Sequence, residues 1–291
     1  MASSERTFVQ AIRRYCAAHD IEVDVRAGGW LIAMRRDDQR RFAFGYDIGL
    51  NSAIAHRLAN DKSATAEALS LQGVPCIPHH LFLNPKLGEK VVGLGWREAM
   101  LELLHDHPQG VVVKPNEGTS GRSVFKVTTA AELDHAANEV FSMSTGLVIS
   151  PYVAIEDEVR VILLDDVPRI VYSKQRGSDW RHNLDAGAKP VLLADGAVRT
   201  ACVKLAVDAA RAIGIRFASI DVVRVDGAWK VLEINSGVMM EALSKLHPEL
   251  VQATYDTALD RVFGDASPST NPSPSSRAMA KPLRGDDGIA S

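Results

Sequence analysis

The sequence predicts an α+β fold, in which helices are combined with strands that pair as hairpins. Thr129 and Glu132 form a capping-box pattern before apolar residues at helical spacing, which predicts a helix over residues 130–141. Residues 217–235 are mostly apolar on both sides of an Asp-Gly pair, which predicts a hairpin. The 291 residues are 46% hydrophobic and 24% charged, a composition that fills a core and excludes wholesale disorder.

Helical periodicity, caps and short apolar runs place the remaining elements. A helix begins after Asp61, whose side chain caps the free N–H groups, and ends at Gly73. Pro75 and Pro78 then enforce extended chain. Further helices are predicted over residues 7–18, 96–104 and 200–213, with a short one just before residue 61. Two strands are predicted across residues 21–34 and 41–45, and other strands over 111–113, 147–150, 159–164 and 170–173. Residues 177–189 are predicted to form a polar loop.

Charge and composition argue against several classes of partner. With 33 Lys+Arg, 36 Asp+Glu and a net charge of -3, we expect no nucleic acid and no membrane partner, although a local basic patch stays open. The chain has no apolar run of about 18 residues and no apolar secretion signal at its start, which predicts a soluble, cytoplasmic protein. Cys16, Cys76 and Cys202 are far apart, which favours buried thiols. The pair His79-His80 fits no metal-site spacing well.

Changes in composition and motif content divide the chain into four predicted parts. Residues 1–60 are too few for a complete nucleotide-binding sheet and form a shortened N-terminal subdomain. Residues 61–149 form a subdomain with a glycine loop, and residues 150–264 form a second subdomain with the metal site. Residues 265–291 are Pro/Ser-rich with almost no large apolar side chains, which predicts a disordered tail.

A glycine-containing loop follows the apolar strand at residues 111–113. Lys114 stands at the strand end, and Gly118 and Gly121 lie in the loop before a second apolar strand. Such a loop lets backbone N–H groups close over phosphates, and the lysine adds a fixed cation. The loop returns to a strand, unlike a P-loop, which enters a helix after Gly-Lys-Ser/Thr. Taken alone, the segment is more often a plain turn, so phosphate binding depends on the remainder of the site.

The hairpin at residues 217–235 carries Asp221, Glu233 and Asn235 among apolar residues. Hard oxygen ligands of this kind suit Mg2+. Glu233 and Asn235 face the same way, but a two-residue turn would pair Asp221 with Leu232 and leave it on the opposite face. We therefore predict an odd loop of three or five residues, on the hypothesis that the three side chains bind metal together. The alternative is a solvated face of an edge hairpin.

Charged residues between these motifs supply further candidates. Glu158 lies in an acidic run, and carboxylates of this kind hold ribose hydroxyls. Arg160, Lys174, Arg181 and Asn183 follow, and a forked guanidinium holds phosphate or carboxylate through two hydrogen bonds. Each of these residues, taken singly, is more often surface charge.

Five motifs in order resemble those of the ATP-grasp superfamily and cover roughly residues 61–245. They read DKSAT, VVVKPNEGTSGRSV, SPYVAIEDEVRV, WRHNLDAG, and SIDVVRV followed by VLEINSG. The second is similar to the cyanophycin synthetase loop, and KQRGSDWRHNLDAG resembles the RimK-type glutamate ligases. The resemblance implies two α+β subdomains that grip ATP between antiparallel sheets.

The resemblance also implies a role for each matching residue. It places ATP phosphates at Lys62, Lys114, Glu117, Gly118, Thr119, Ser120, Gly121 and Ser123, adenine at Ser150, Pro151, Tyr152 and Val153, and ribose at Glu158. It places one or two Mg2+ ions, with Mn2+ as the other candidate metal, at Asp221, Glu233 and Asn235. The phosphoryl group or the acyl substrate is expected at Arg160, Lys174, Arg181 and Asn183. Loops 116–123 and 174–189 are expected to act as lids that exclude water.

The implied activity is ATP-dependent carboxylate-amine ligation on an amino acid, a peptide or a related small acid. The carboxylate takes the γ-phosphoryl group, and an amine attacks the acylphosphate, with release of ADP and phosphate. Two alternatives stay open: a phosphotransferase or a ligase forming a non-amide bond, and an ATP-binding module without turnover. Asn235 is followed by Ser236-Gly237 instead of a Ser-Pro-Gly-like turn, so the acceptor cannot be inferred from better-known members. A partner subunit in a homodimer is one way to complete the acceptor pocket.

Overall fold

The computed structural model describes residues 5–118, 123–175 and 189–264, in which strands form three antiparallel sheets. The α-helices are α1 (Thr7–Ala18), α2 (Ala53–Asn60), α3 (Lys62–Leu71), α4 (Glu89–Val92), α5 (Trp96–Asp106), α6 (Ala130–Met143), α7 (Ala197–Ile213), α8 (Glu241–Ser244) and α9 (Pro248–Gly264). The strands are β1 (Glu22–Arg26), β2 (Leu31–Arg36), β3 (Gln39–Phe44), β4 (His80–Leu83), β5 (Val111–Pro115), β6 (Phe125–Val127), β7 (Gly146–Pro151), β8 (Asp157–Leu164), β9 (Val167–Gln175), β10 (Lys189–Leu192), β11 (Phe217–Val225) and β12 (Ala228–Asn235). Within these ranges, none of the helices is long and apolar enough to cross a membrane.

The N-terminal sheet, in the order β1-β2-β3, shares its core with the C-terminal helix. Phe8 on α1, Ile32 on β2 and Tyr255 on α9 are fully buried in one cluster with Tyr172 and Phe217 of the five-stranded sheet. Burial of each side chain of this size contributes about 1.5–3 kcal/mol. The first sixty residues therefore pack as one unit with the five-stranded sheet and the last helix.

The four-stranded sheet, in the order β4-β7-β5-β6, is covered by α5 and α6. Leu133, Ala136 and Val140 on α6 pack onto Val111 and Val113 of β5, and all five side chains are buried. This packing fixes the end of β5, where Lys114 lies, and the end of β7, which leads to the second large sheet. The predicted subdomain boundary between residues 149 and 150 falls within β7, two residues before the end of the strand.

The five-stranded sheet has the order β10-β9-β8-β11-β12 and presents two different faces. On one face, α7 packs through small residues such as Ala206 and Ala209 onto Val161 and Ile220. On the other face, apolar residues at one end of the strands join the N-terminal core, and charged residues occupy the other end. The second face therefore carries the candidate site.

The hairpin of β11 and β12 closes through a two-residue turn. Asp226 and Gly227 both have positive φ, 51° and 73°, as a type I′ turn requires. The predicted odd loop is therefore wrong. The predicted placement of Asp221 opposite Glu233 is confirmed, because a β-bulge at Leu232 shifts the register by one residue.

Most of the predicted elements are present in the described range. The predicted helix over residues 7–18 is confirmed at both ends, and that over 130–141 continues to Met143. The last long predicted helix begins at Ala197, three residues before the predicted residue 200. Apart from Lys189, the predicted polar loop lies outside the described residues, as does the predicted tail over 265–291.

Candidate active site

Four charged side chains meet on one face of the five-stranded sheet. Arg160 donates from Nε and Nη2 to the two carboxylate oxygens of Asp221, at 2.7 and 2.6 Å. Lys174 donates to Asp221 Oδ2 at 2.8 Å and also to Glu158 Oε1. The strand register produces this group, because Asp221 on β11 is the direct partner of Arg160 on β8, and side chains two residues apart on a strand share a face.

Burial and ion pairing set the charges of this cluster. Burial opposes ionisation of Asp221, but Arg160 and Lys174 outweigh it and hold the pKa of Asp221 below its usual range. Burial raises the pKa of Glu158 to about 7, against the opposing effect of Lys174. Burial alone would lower the pKa of Lys174, but Asp221 raises it above the usual value. At neutral pH, Arg160 and Lys174 are therefore cations held beside the ionised Asp221, and Glu158 is the carboxyl of the cluster that takes up a proton most readily.

Glu233 lies beside the cluster and attracts cations from three elements. Asn235 donates from Nδ2 to Glu233 Oε1 at 3.1 Å. Lys62 on α3, Lys114 on β5 and Arg160 on β8 each interact electrostatically with the Glu233 carboxylate. Burial lowers the pKa of Lys62, and it lowers that of Lys114 to about 8, while Glu233 opposes both shifts. Glu233 is therefore the anion that these three cations share.

Lys62 anchors the start of the glycine loop. Its backbone N–H donates to Asn116 O at 3.2 Å, and its Nζ donates to Gly118 O at 2.8 Å. Asp61 pairs with Glu117 in an isolated β-bridge, and its side chain caps α3, as predicted, by accepting a hydrogen bond from the Ala64 N–H at 2.8 Å. Gly118 has φ of 120°, a conformation that favours glycine. The beginning of the loop is thus held against the N-terminus of α3.

The predicted adenine hinge begins with the last two residues of β7, Ser150 and Pro151, which pair with β5. The Tyr152 amide donates to the carbonyl just before β5 at 3.0 Å, and Lys126 Nζ lies 3.4 Å from the centre of the Tyr152 ring. Val153 packs against apolar side chains at the end of β11. The segment therefore connects the four-stranded sheet to the five-stranded sheet.

Several predicted site residues lie apart from this group or outside the described range. Ser123 donates from its hydroxyl to the sulfur of Met143 on α6, at 3.4 Å. Five predicted residues lie outside the described residues, namely Thr119, Ser120, Gly121, Arg181 and Asn183. Large parts of both predicted lids, loops 116–123 and 174–189, also fall there.

Sequence reasoning missed His79 as a residue of this region. Only 5% of it is exposed, and it borders the cavity that Lys62, Glu233 and Asn235 also line. Burial and the nearby Lys114 hold the pKa of His79 well below its usual value, so the ring is neutral. A histidine between a proline and a short strand gives little signal in the sequence, because its burial results from packing of distant elements.

The donor set of the hairpin fits Mg2+. Glu233 supplies a carboxylate and Asn235 an amide oxygen, both hard ligands. A carboxylate has about four lone-pair sites, and three of those on Asp221 accept hydrogen bonds from Arg160 and Lys174. Asp221 therefore has about one site left for a metal, and Glu233 offers more. Within the described ranges, there is no group of three or more His, Cys, Asp or Glu side chains that could hold a metal by itself.

Two antiparallel sheets are joined by a hinge, and Lys114 of one sheet interacts electrostatically with Glu233 of the other, an arrangement that agrees with the predicted ATP-grasp class of fold. The family model for the RimK-like ATP-grasp domain matches residues 76–250, and the chain belongs to this family. The fold is similar to that of D-alanine–D-alanine ligase from Bacillus anthracis complexed with ATP, with a TM-score of 0.56, 20% identity, and coverage of 74% of this chain and 68% of the other. It is also similar to a bifunctional glutathione synthetase from Pasteurella multocida, with a TM-score of 0.57, 14% identity, and coverage of 90% of this chain and 45% of the other. The predicted superfamily and the α+β fold are confirmed.

Sequence relatives carry glutamate ligase names. The chain is 24% identical over 214 residues to the ribosomal protein bS6–L-glutamate ligase of Escherichia fergusonii, covering 71% of this chain and 65% of the relative. It is 28% identical over 203 residues to a probable alpha-L-glutamate ligase of Pasteurella multocida, covering 67% of this chain and 59% of the relative. The chain therefore spans somewhat less than two thirds of the length of these relatives.

Proposed function

We propose that this chain is an ATP-dependent carboxylate-amine ligase that forms an amide bond through an acylphosphate. The observation that carries the proposal is that Arg160 and Lys174 pair with the buried Asp221 while Lys62 and Lys114, on other elements, lie within electrostatic range of Glu233. Phosphoryl transfer to a carboxylate brings two anions together, so catalysis depends mainly on positioning and on fixed positive charge. Cations contributed by two sheets and a helix supply that charge where the sheets meet.

Each described residue has a defined part in this proposal. Lys62 and Lys114 bind the ATP phosphates; with a pKa of about 8, Lys114 is mostly protonated at neutral pH. Arg160 and Lys174 are the cations of the buried cluster and stabilise the phosphoryl group as it moves to the acid. Glu233, with Asn235 and Asp221, would hold Mg2+, which neutralises phosphate charge when bound.

Other parts of the proposal rest on the family resemblance alone. Arg181 and Asn183 would contact the acyl substrate, Glu158 would bind the ribose, and the two loops would shield the acylphosphate from water. In the described structure, Glu158 is buried and bonded to Lys174, so a ribose hydroxyl would have to join that pair. A cytoplasmic location, a homodimer and the subdomain boundaries stay predictions.

The choice of substrates to test follows from the names of the relatives. Two relatives are named as glutamate ligases, which makes L-glutamate the first amine to test. The acid is an amino acid, a peptide or a related small acid. The one that gives a condensed product defines the acyl donor.

Mass spectrometry of the purified protein with MgATP, L-glutamate and pooled amino acids, peptides and small acids tests the proposal. We expect ADP, phosphate and a condensed product in equal amounts. AMP, or a phosphorylated acid that accumulates without condensation, would favour a different transferase or ligase. ATP binding without turnover in any pool would favour a regulatory module.

A variant pair tests whether Glu233 is the central carboxylate. Glu233→Gln should abolish turnover, while ATP without metal still binds weakly. Glu139→Gln is the matched control, because Glu139 is exposed on α6 and none of its described side-chain contacts involves the site. Full activity of Glu233→Gln would refute the proposed metal assignment, and equal losses in both variants would show a nonspecific effect.

A further inference from the structure

A groove of about 540 Å³ lies between α3, β4 and α5. Its volume is within the range of about 300–1,000 Å³ that is typical of ligand-binding pockets. His79 borders both this groove and the cavity beside Glu233, but none of the other lining residues of the groove belongs to the candidate active site. The groove is therefore a second concave surface next to the site.

The walls of the groove carry unpaired negative charge. Glu67 projects from α3, and Glu102 and Asp106 project from one face of α5, four residues apart. In the part of the chain that the structure describes, these carboxylates form no ion pair or side-chain hydrogen bond, and no Lys or Arg lines the groove. Nucleic acid would be repelled, and a cation would be attracted.

The floor of the groove is the free edge of a strand. β4 is the terminal strand of its sheet and pairs only with β7 among the described strands. Leu81 and Phe82 both line the groove although consecutive strand residues point to opposite faces, so the groove runs along the edge of β4. A free edge presents N–H and C=O groups that a further extended segment can pair with.

His79 adds a buried acceptor to this surface. Its Nδ1 lies 2.9 Å from Ile77 O and therefore carries the proton, which leaves Nε2 as an acceptor. Nε2 is buried and has no hydrogen-bond partner among the described residues. Buried polar atoms of this kind normally have a partner, so the unpaired nitrogen indicates a missing donor. The side-chain groups of the groove named so far thus accept hydrogen bonds or attract positive charge.

We propose that this groove binds an extended polypeptide segment with Lys or Arg side chains, which adds to the sheet beside β4. The four residues of β4 span roughly 13 Å and would pair with a segment of similar length. The basic side chains would lie against Glu67, Glu102 and Asp106. The backbone hydrogen bonds require a peptide, whereas carboxylates alone would accept any organic cation. This docking site goes beyond the proposed ligase activity and does not depend on it.

Fluorescence anisotropy with labelled peptides of about eight residues tests the proposal without ATP, so a failed ligase assay would not affect the result. A peptide that alternates Lys with Val should bind, and raising the salt from about 50 to about 300 mM should weaken binding. A peptide with Glu in place of Lys should not bind. N-methylation of alternate backbone amides should weaken binding by at least about tenfold. Equal binding of the methylated peptide, or displacement by spermine at equal concentration, would overturn strand addition.

Variants of the groove test the location. The double variant Glu102→Gln/Asp106→Asn should weaken binding of the Lys-Val peptide by at least about tenfold, because it removes two of three carboxylates. The matched control is Glu98→Gln/Glu139→Gln, which removes two exposed carboxylates that do not line the groove. The control should bind within about twofold of the unmodified chain. Equal effects of the two double variants would place the peptide elsewhere and refute the proposal.

Discussion

Replacing Asp221 by asparagine should strongly destabilise the fold, because Asp221 neutralises two buried cations. Only 1% of Asp221 is exposed, and its oxygens accept three hydrogen bonds, two from Arg160 and one from Lys174. Asp221→Asn leaves both cations with Glu158 as the only carboxyl in the cluster, and it turns one acceptor into a donor that faces a guanidinium. Breaking a buried ion pair in this way costs about 3–5 kcal/mol. Urea denaturation followed by circular dichroism at pH 7 should show a loss of this size.

Glu158→Gln is the matched control for this prediction. Glu158 is also buried and accepts a hydrogen bond from Lys174, but burial raises its pKa to about 7, so it is partly neutral at the pH of the assay. Lys174 keeps Asp221 in this variant. We expect a loss of about 1–2 kcal/mol, smaller than that of Asp221→Asn, because both cations keep the Asp221 carboxylate. If both variants lose the same free energy of unfolding, or Asp221→Asn loses less than about 1 kcal/mol, the ion-pair reasoning is wrong.

Three further predictions concern packing and pH. Gly110→Ala should lower the melting temperature clearly, because the added Cβ would lie 2.4 Å from the backbone oxygen of Val127, the last residue of β6. The control Gly73→Ala places its Cβ in open space, so it should cost only the strain of a left-handed backbone, about 1–2 kcal/mol. Between about pH 7 and pH 5, His79 should lower the free energy of unfolding as the pH falls, because the unfolded chain protonates it near its normal pKa while burial holds the folded pKa well below that value. Glu158, whose folded pKa burial raises to about 7, contributes in the opposite sense over the same range. In urea titrations, acidification should therefore destabilise the unmodified chain more, or stabilise it less, than the variant His79→Asn. Ending the chain after residue 268 should leave the melting temperature unchanged, whereas ending it before Ala258 removes buried residues of α9 and should prevent folding, as circular dichroism would show. An unchanged pH profile in the histidine variant, or a folded chain without the end of α9, would contradict the respective prediction.

Local signals were sufficient for much of the fold. The capping box at Thr129 and Glu132 is present in the structure, and both side chains make the expected bonds. The Asp61 cap on α3 is present as well. These features depend on residues three positions apart, so the sequence contains the whole interaction.

Features that depend on distant segments could not be read from the sequence. Arg160 and Asp221 are 61 residues apart, and their pairing requires β8 and β11 to be neighbours, which only the sheet order decides. Sequence reasoning placed Arg160 with the phosphoryl group and Asp221 with the metal, and it did not foresee that one would hold the other. The burial of α9 against α1 likewise joins the two ends of the chain, and residues 248–264 had no predicted element.

The β-bulge explains how the hairpin combines a tight turn with the candidate metal site. Regular pairing from the Asp226-Gly227 turn would place Leu232 opposite Asp221 and turn Glu233 toward the apolar core under α7. A buried carboxylate there would have no cation beside it and would cost several kcal/mol, about as much as a large core defect. With the bulge, Leu232 packs near Val153 and Glu233 points to the face with Asp221. The strand therefore keeps the favoured two-residue turn, and the irregular pairing is confined to the residue pair on which the candidate site depends.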